Sequence, residues 1–111
     1  MWSLQSVAVT ELYLAQANRL MNEGEQDAVI DMISQSPMSG VIIKGTGGLR
    51  KTRIPLAGRG KRGGGRVIYW YHSVDNPIVL LMVFAKNAAD DMSDVQRKQM
   101  MALADELLES F

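Results

Sequence analysis

The 111-residue chain has no cysteine. That removes disulfide frameworks, thiolate nucleophiles and cysteine-ligated zinc, and it fits a reducing cytoplasm. Histidine occurs once, at His72, so a metal site would have to be assembled from carboxylates. Ser73 adjoins His72, but neighbours on a strand point to opposite faces and cannot form a nucleophile–base pair. Long apolar runs are also missing. The longest, Ile78 to Ala85, has eight residues, far short of a membrane span. The first twenty residues carry no basic segment, and Glu11 stands where a signal peptide needs apolar side chains. The expectation is a soluble cytoplasmic protein without a membrane partner. Its length suits one domain covering residues 1–111, and its 47% apolar content suits a packed core.

Acids are missing from one long stretch. No Asp or Glu occurs between Asp31 and Asp75, yet that stretch holds Lys44, Arg50, Lys51, Arg53, Arg59, Lys61, Arg62 and Arg66. These are eight of the twelve Lys and Arg residues, so a formal net charge of zero conceals a basic centre. Such segregation points to a local polyanion site rather than general adhesion.

Around that centre the pattern is legible. Val7 to Thr10 is a short β-branched run, with Thr10 placed as an N-cap. Tyr13, Ala17, Leu20 and Met21 then recur at helical spacing. Asn22 and Glu25 make a capping pair for a second helix with an inner face of Val29, Ile30 and Ile33, stopped by SQSP. LRKTRIPL alternates, with Leu49, Lys51, Arg53 and Pro55 on one face and Arg50, Thr52, Ile54 and Leu56 on the other. RVIYWYH and IVLLMVFA read as two more strands, the second covered on both faces. Ser93 and Gln96 cap a last helix that uses Val95, Met100, Leu103, Ala104, Leu107, Leu108 and Phe111. The acidic pair Asp90 and Asp91 belongs before that helix, where acids suit its dipole. The fold class is α+β, in the order β-α-α-β-β-β-α.

GRGKRG (Gly58 to Gly63) matches the dinucleotide fingerprint G-x-G-x-x-G, but a strand follows it where the fingerprint needs a helix. A glycine-rich hairpin loop is the alternative. It would bring Arg59, Lys61 and Arg62 close to a phosphate chain. On RVIYWYH, Tyr69 and Tyr71 are expected to be buried, while Trp70 shares its face with Arg66 and His72. Trp70 or His72 is a candidate to stack on an RNA base, against ordinary burial for the tryptophan and half-burial for the histidine. If sequential strands pair, Lys51, Arg53, Arg66 and Lys86 converge at one end of the sheet. Cations alone cannot hydrolyse most substrates, but RNA supplies its own nucleophile in the 2′-hydroxyl. Arginines can hold the phosphate, and a lysine among other cations gives up its proton more readily. That chemistry calls for no metal and no cofactor.

GTGGLRKTR, the glycine-basic loop, GGRVIYWYH, LLMVFAKN and the capped last helix together resemble the RelE/HigB family of bacterial toxin–antitoxin toxins. The resemblance spans nearly the whole chain. It implies a microbial RNase-like fold: two N-terminal helices on one face of an antiparallel-dominated sheet, with a helix at the end. It implies an mRNA interferase, an endoribonuclease that cuts messenger RNA in the ribosomal A site and so inhibits translation. It also implies a cognate antitoxin, through which operator DNA can be bound. The family's basic residues fall on Lys51, Arg53 and Arg66, and its polar pair after the last strand falls on Lys86 and Asn87. Lys51 or Lys86 would move protons while Arg53 and Arg66 hold the phosphate. Arg50, Arg59, Lys61, Arg62, Trp70, His72 and Asn87 would contact RNA. The family's base-stacking residue near the last helix has no counterpart between Asp90 and Ser110. A non-catalytic RNA-, ribosome- or DNA-binding module, its basic face neutralised by an acidic partner, is the alternative.

Overall fold

The computed structural model describes residues 6–56, 64–86 and 92–110. Arg59, Lys61, Arg62, Asn87, Asp90, Asp91 and Phe111 lie outside the described residues. Strand β1 (Val7–Val9) leads into helices α1 (Glu11–Leu20) and α2 (Glu23–Gln35). Strands β2 (Val41–Ile42), β3 (Leu49–Ile54), β4 (Gly65–Trp70) and β5 (Ile78–Ala85) follow, and α3 (Asp94–Ser110) ends the described chain. The expected order holds, with the two-residue β2 added as an edge strand. The sheet runs β1-β5-β4-β3-β2; β1 pairs parallel with β5, and the other pairs are antiparallel.

The helices start where their caps stand. Thr10 Oγ1 accepts from Tyr13 N at 3.0 Å. Asn22 and Glu25 exchange two 2.8 Å bonds, and Ser93 and Gln96 do the same at 3.0 and 3.1 Å. Each such cap contributes about 1 kcal/mol. Helices α1 and α2 cover one face of the sheet, where Tyr13, Ala17, Val29 and Ile33 meet Ile54, Val67, Tyr69 and Leu80. Helix α3 covers part of the other, setting Met100 and Ala104 on Leu49, Ile68, Trp70 and Leu81. Two of its expected inward residues point out: Val95 is 66% exposed and Leu108 50%. A narrower stripe is enough because α3 covers one end of its face only.

A register shift between Ile68 and Tyr69 inserts one extra residue in β5, since Ile68 opposes Met82 while Tyr69 opposes Leu80. Leu81 and Met82 therefore both enter the α3-side core, and Val83 and Ala85 turn to the α1/α2 side. Beyond the short β1, side chains of α1 and its cap satisfy the backbone of β5. Thr10 Oγ1 donates to Leu81 O at 3.1 Å, and Val83 N donates to Gln16 Oε1 at 2.9 Å.

Candidate functional site

Because side chains alternate along a strand, Leu49, Lys51 and Arg53 share the face of β3 that looks toward the α3 side. Leu49 is buried there, but α3 stops short of the far end. The register sets Lys51 opposite Ile68 and Arg53 opposite Arg66. Two residues along a strand span about 6.6 Å, so the cations lie at neighbouring rungs. Arg66 is opposed on its other side by Phe84. The bulge restores the phase that carries Phe84, and then Lys86, to this same face. Lys86 N donates to Gly64 O at 3.0 Å, which extends the ladder and fixes the lysine beside the start of β4.

The result is an open cleft of about 630 Å³ lined by Lys51, Arg53, Arg66 and Lys86 together with Ser39, Val41 and Thr52. No carboxylate is among its described lining residues. Arg66 is 8% exposed, and its Nη1 donates to Gly65 O at 2.9 Å, so its guanidinium is held in place. Arg53 and Lys86 are exposed and Lys51 half-exposed. Setting Arg53 directly across from Arg66 is unfavourable for a sheet, where like charges in opposition destabilise. The held guanidinium of Arg66, with Arg53 and the two lysines around it, can grip a phosphate from several sides while leaving an amine to exchange protons.

Other candidates lie elsewhere. Arg50 is on the opposite face of β3, where its Nη1 donates to Gly40 O at 2.8 Å and Met38 O at 3.1 Å. It secures the connection between α2 and β2. Tyr69 completes that clamp: its hydroxyl donates to Pro37 O at 2.7 Å and accepts from Gly40 N at 3.1 Å. Burial pushes the Tyr69 phenol up, opposed by the Gly40 amide and the Arg50 charge. Trp70 is 4% exposed within the α3-side core, so its faces are not open to a base. His72 is exposed rather than half-buried, and stacks on Trp70 at 5.8 Å between ring centroids with 12° between planes. Trp70 ends β4 and His72 lies beyond it, both roughly 13 Å or more along the strand from Arg66. Tyr71 and His72 lie beyond the end of β4, a shorter strand than RVIYWYH suggested.

Ser39 and Val41 escaped the sequence reading. Ser39 belongs to the connection after SQSP, which the clamp by Arg50 and Tyr69 holds, and Val41 reaches the cleft because the short edge strand β2 sets it opposite Lys51.

The fold and this site define a class: a small α+β domain, a mixed sheet between helices, with a cationic cleft at one end that has no carboxylate among its described lining residues. The chain belongs to the RelE toxin family of toxin–antitoxin systems. The family model described as the RelE toxin of the RelE/RelB toxin–antitoxin system matches residues 4–110. Among solved structures, a mutant of the Escherichia coli toxin RelE in the free state superposes with a TM-score of 0.56 at 13% identity. The match covers 79% of this chain and 90% of that one. It shows a shared fold. Membership implies an antitoxin as partner. No helix among the described residues is long and apolar enough to cross a membrane.

Proposed function

We infer that this protein is a toxin that cleaves messenger RNA, in the manner of the RelE and HigB mRNA interferases, with the cleft around Lys51 and Arg66 as its active site. The observation that carries this reading is the gathering of four cations, from β3, β4 and the residue after β5, into one cleft with no carboxylate among its described lining residues. Structural economy does not account for it, because a sheet gains nothing by opposing Arg53 to Arg66.

The chemistry follows from what these groups can do. A base takes the proton of the 2′-hydroxyl, and the oxygen attacks the adjacent phosphorus. The bond from phosphorus to the 5′-oxygen breaks, an acid protonates that oxygen, and the products are a 2′,3′-cyclic phosphate and a 5′-hydroxyl. Arg66, held by Gly65, and Arg53 stabilise the charge that grows on the phosphoryl oxygens. Lys51 and Lys86, which line the cleft, give and take the protons in this reading. The nucleophile comes from the substrate, so orientation limits the rate. An open cleft positions a flexible strand poorly, which favours a ribosome-held message in the A site over naked RNA. The antitoxin would silence the toxin by neutralising or covering this cleft.

The test is primer extension on a defined message in a reconstituted translation reaction, comparing wild type with Lys51→Ala and Arg66→Gln. New 5′ ends at in-frame A-site codons are expected with wild type. Lys51→Ala should reduce them ~10²-fold or more, the usual scale for a general acid or base. Intact message on stalled or unaffected ribosomes would overturn the nuclease reading in favour of a binding module.

A further inference from the structure

A second hollow adjoins the cleft. It has a volume of about 250 Å³ and is lined by Val41, Ile42, Ile43, Lys44, Lys51 and Arg97. Val41 and Lys51 line both cavities, so the two sit side by side along the β2–β3 pair. Three of its six lining residues are cations, and no carboxylate lines it among the described residues. Its cations come from three elements: the turn after β2, strand β3 and the first turns of α3. The third is remote in sequence, and Arg97 was not among the candidates read from the basic centre of the chain.

The hollow is organised as well as charged. Arg97 Nη1 donates to Lys44 O at 3.1 Å, a bond that ties α3 to the β2–β3 turn and sets the guanidinium beside the Lys44 backbone. A guanidinium has five N–H donors in a planar fork, so it can hold a carbonyl and a phosphate together. One wall is apolar and open to solvent: Val41, which pairs with Lys51 and shares its face, is 71% exposed. Edge strands usually carry polar or charged residues at such positions. An exposed β-branched side chain beside these cations suits a nucleotide, with its phosphate on the charges and its base or ribose against Val41.

We propose that the hollow formed by Lys44, Lys51 and Arg97 is a second RNA subsite, which holds the phosphate of a nucleotide next to the scissile one. The proposal rests on the mRNA-cleavage reading above and extends it. Lys51 is the hinge between the subsites, and the message runs from the Arg53–Arg66 end of the cleft across Lys51 toward α3. Lys44 and Arg97 position the substrate and take no part in bond breaking.

The experiment pairs charge removal on the protein with charge removal on the message. Short synthetic messages on programmed ribosomes carry a neutral methylphosphonate at one or the other linkage flanking the cleavage site. Cleavage efficiency is measured for wild type and for Lys44→Gln/Arg97→Gln. With wild type, one of the two neutral linkages should lower kcat/KM by ~10-fold, the scale of a charge-assisted hydrogen bond. The double variant should show that loss already with the normal message, mainly through KM, and lose nothing further with the neutral one. Arg97→Lys, which keeps the charge, should recover part of the efficiency. Lys44→Gln alone leaves the Arg97-to-carbonyl bond in place and separates charge loss from loosening of α3.

Additive losses, or no effect of either neutral linkage, would overturn the subsite while leaving the nuclease reading intact. Absence of cleavage by wild type would sink the cleavage reading and this proposal together.

Discussion

At the level of single residues, stability and function pull in different directions on β3 and β4. Arg53 faces Arg66 across the ladder, an arrangement that costs a fraction of a kcal/mol to about 1 kcal/mol. Arg53→Thr removes the repulsion and supplies a residue suited to a strand. Chemical denaturation should find the variant as stable as wild type or up to about 1 kcal/mol more stable, while cleavage falls. A clear loss of stability would mean that Arg53 serves the fold. Tyr13 makes a different case. Its hydroxyl is buried without a hydrogen-bond partner among the described residues, and desolvation pushes its pKa up to about 12. The folded state therefore holds the phenol proton more tightly than the unfolded chain, whose value is near 10. The associated stability is fully present below pH 10 and is lost as pH rises toward 12. Tyr13→Phe keeps the ring and removes the orphan hydroxyl. Urea unfolding should show it neutral or about 1 kcal/mol more stable at pH 7. Its advantage over wild type should widen at pH 11, and an advantage that stays constant between the two pH values would refute the assignment.

At the level of elements, the sequence was most legible where a local rule sufficed. Three caps, two amphipathic N-terminal helices and three strands followed from side-chain type and spacing, because Thr10, Asn22 and Ser93 act on backbone groups within one turn. The gathering of Lys51, Arg53, Arg66 and Lys86 was legible as a possibility from strand alternation, but not as a geometry. Lys86 reaches the cleft face only because the bulge shifts the phase of β5, and IVLLMVFA is apolar throughout, so its pattern holds no record of a shift. Trp70 was ambiguous for a related reason: alternation gives its face, while the burial of that face depends on α3, distant in sequence. The α2–β2 connection is the other element that only tertiary structure explains. Gly40 is pressed against Tyr69 so closely that a Cβ there would run into the phenol hydroxyl and sit 2.9 Å from Cε1. That ring is held by its bonds to Pro37 and Gly40 and cannot readily give way. Gly40→Ala should therefore cost about 1–3 kcal/mol, read as a lowered melting temperature, and it should weaken cleavage more than the stability loss alone explains, since Ser39 and Val41 move with the loop. An unchanged melting temperature would show that the clamp is slack.

At the level of the whole molecule, the formal net charge of zero makes the placement of charge the decisive variable. A neutral protein cannot draw RNA by its overall field, so affinity has to come from cations close enough to the strand to displace counterions. Beyond a Debye length of about 8 Å at physiological salt, other charges are screened. Arg19 and Arg53 allow a clean comparison. Arg19 is exposed in the last turn of α1, on the covered face of the sheet away from the cleft, and Arg53 lines the cleft. Arg19→Gln and Arg53→Gln change net charge equally. Single-stranded binding loses about 0.7 of a log unit of affinity per log unit of salt for each phosphate neutralised. Titration of a labelled single-stranded RNA across a salt series should therefore give Arg53→Gln a slope shallower than wild type by about 0.7, and should leave the slope of Arg19→Gln unchanged. Equal changes in both would mean that RNA is attracted by total charge and that the cleft confers no local grip. An unchanged slope for Arg53→Gln alone would place the phosphate contacts on the other cations of the cleft. If the antitoxin acts at this cleft, the same locality lets a small segment restrain the toxin, because it need oppose only the few charges at one end of the sheet.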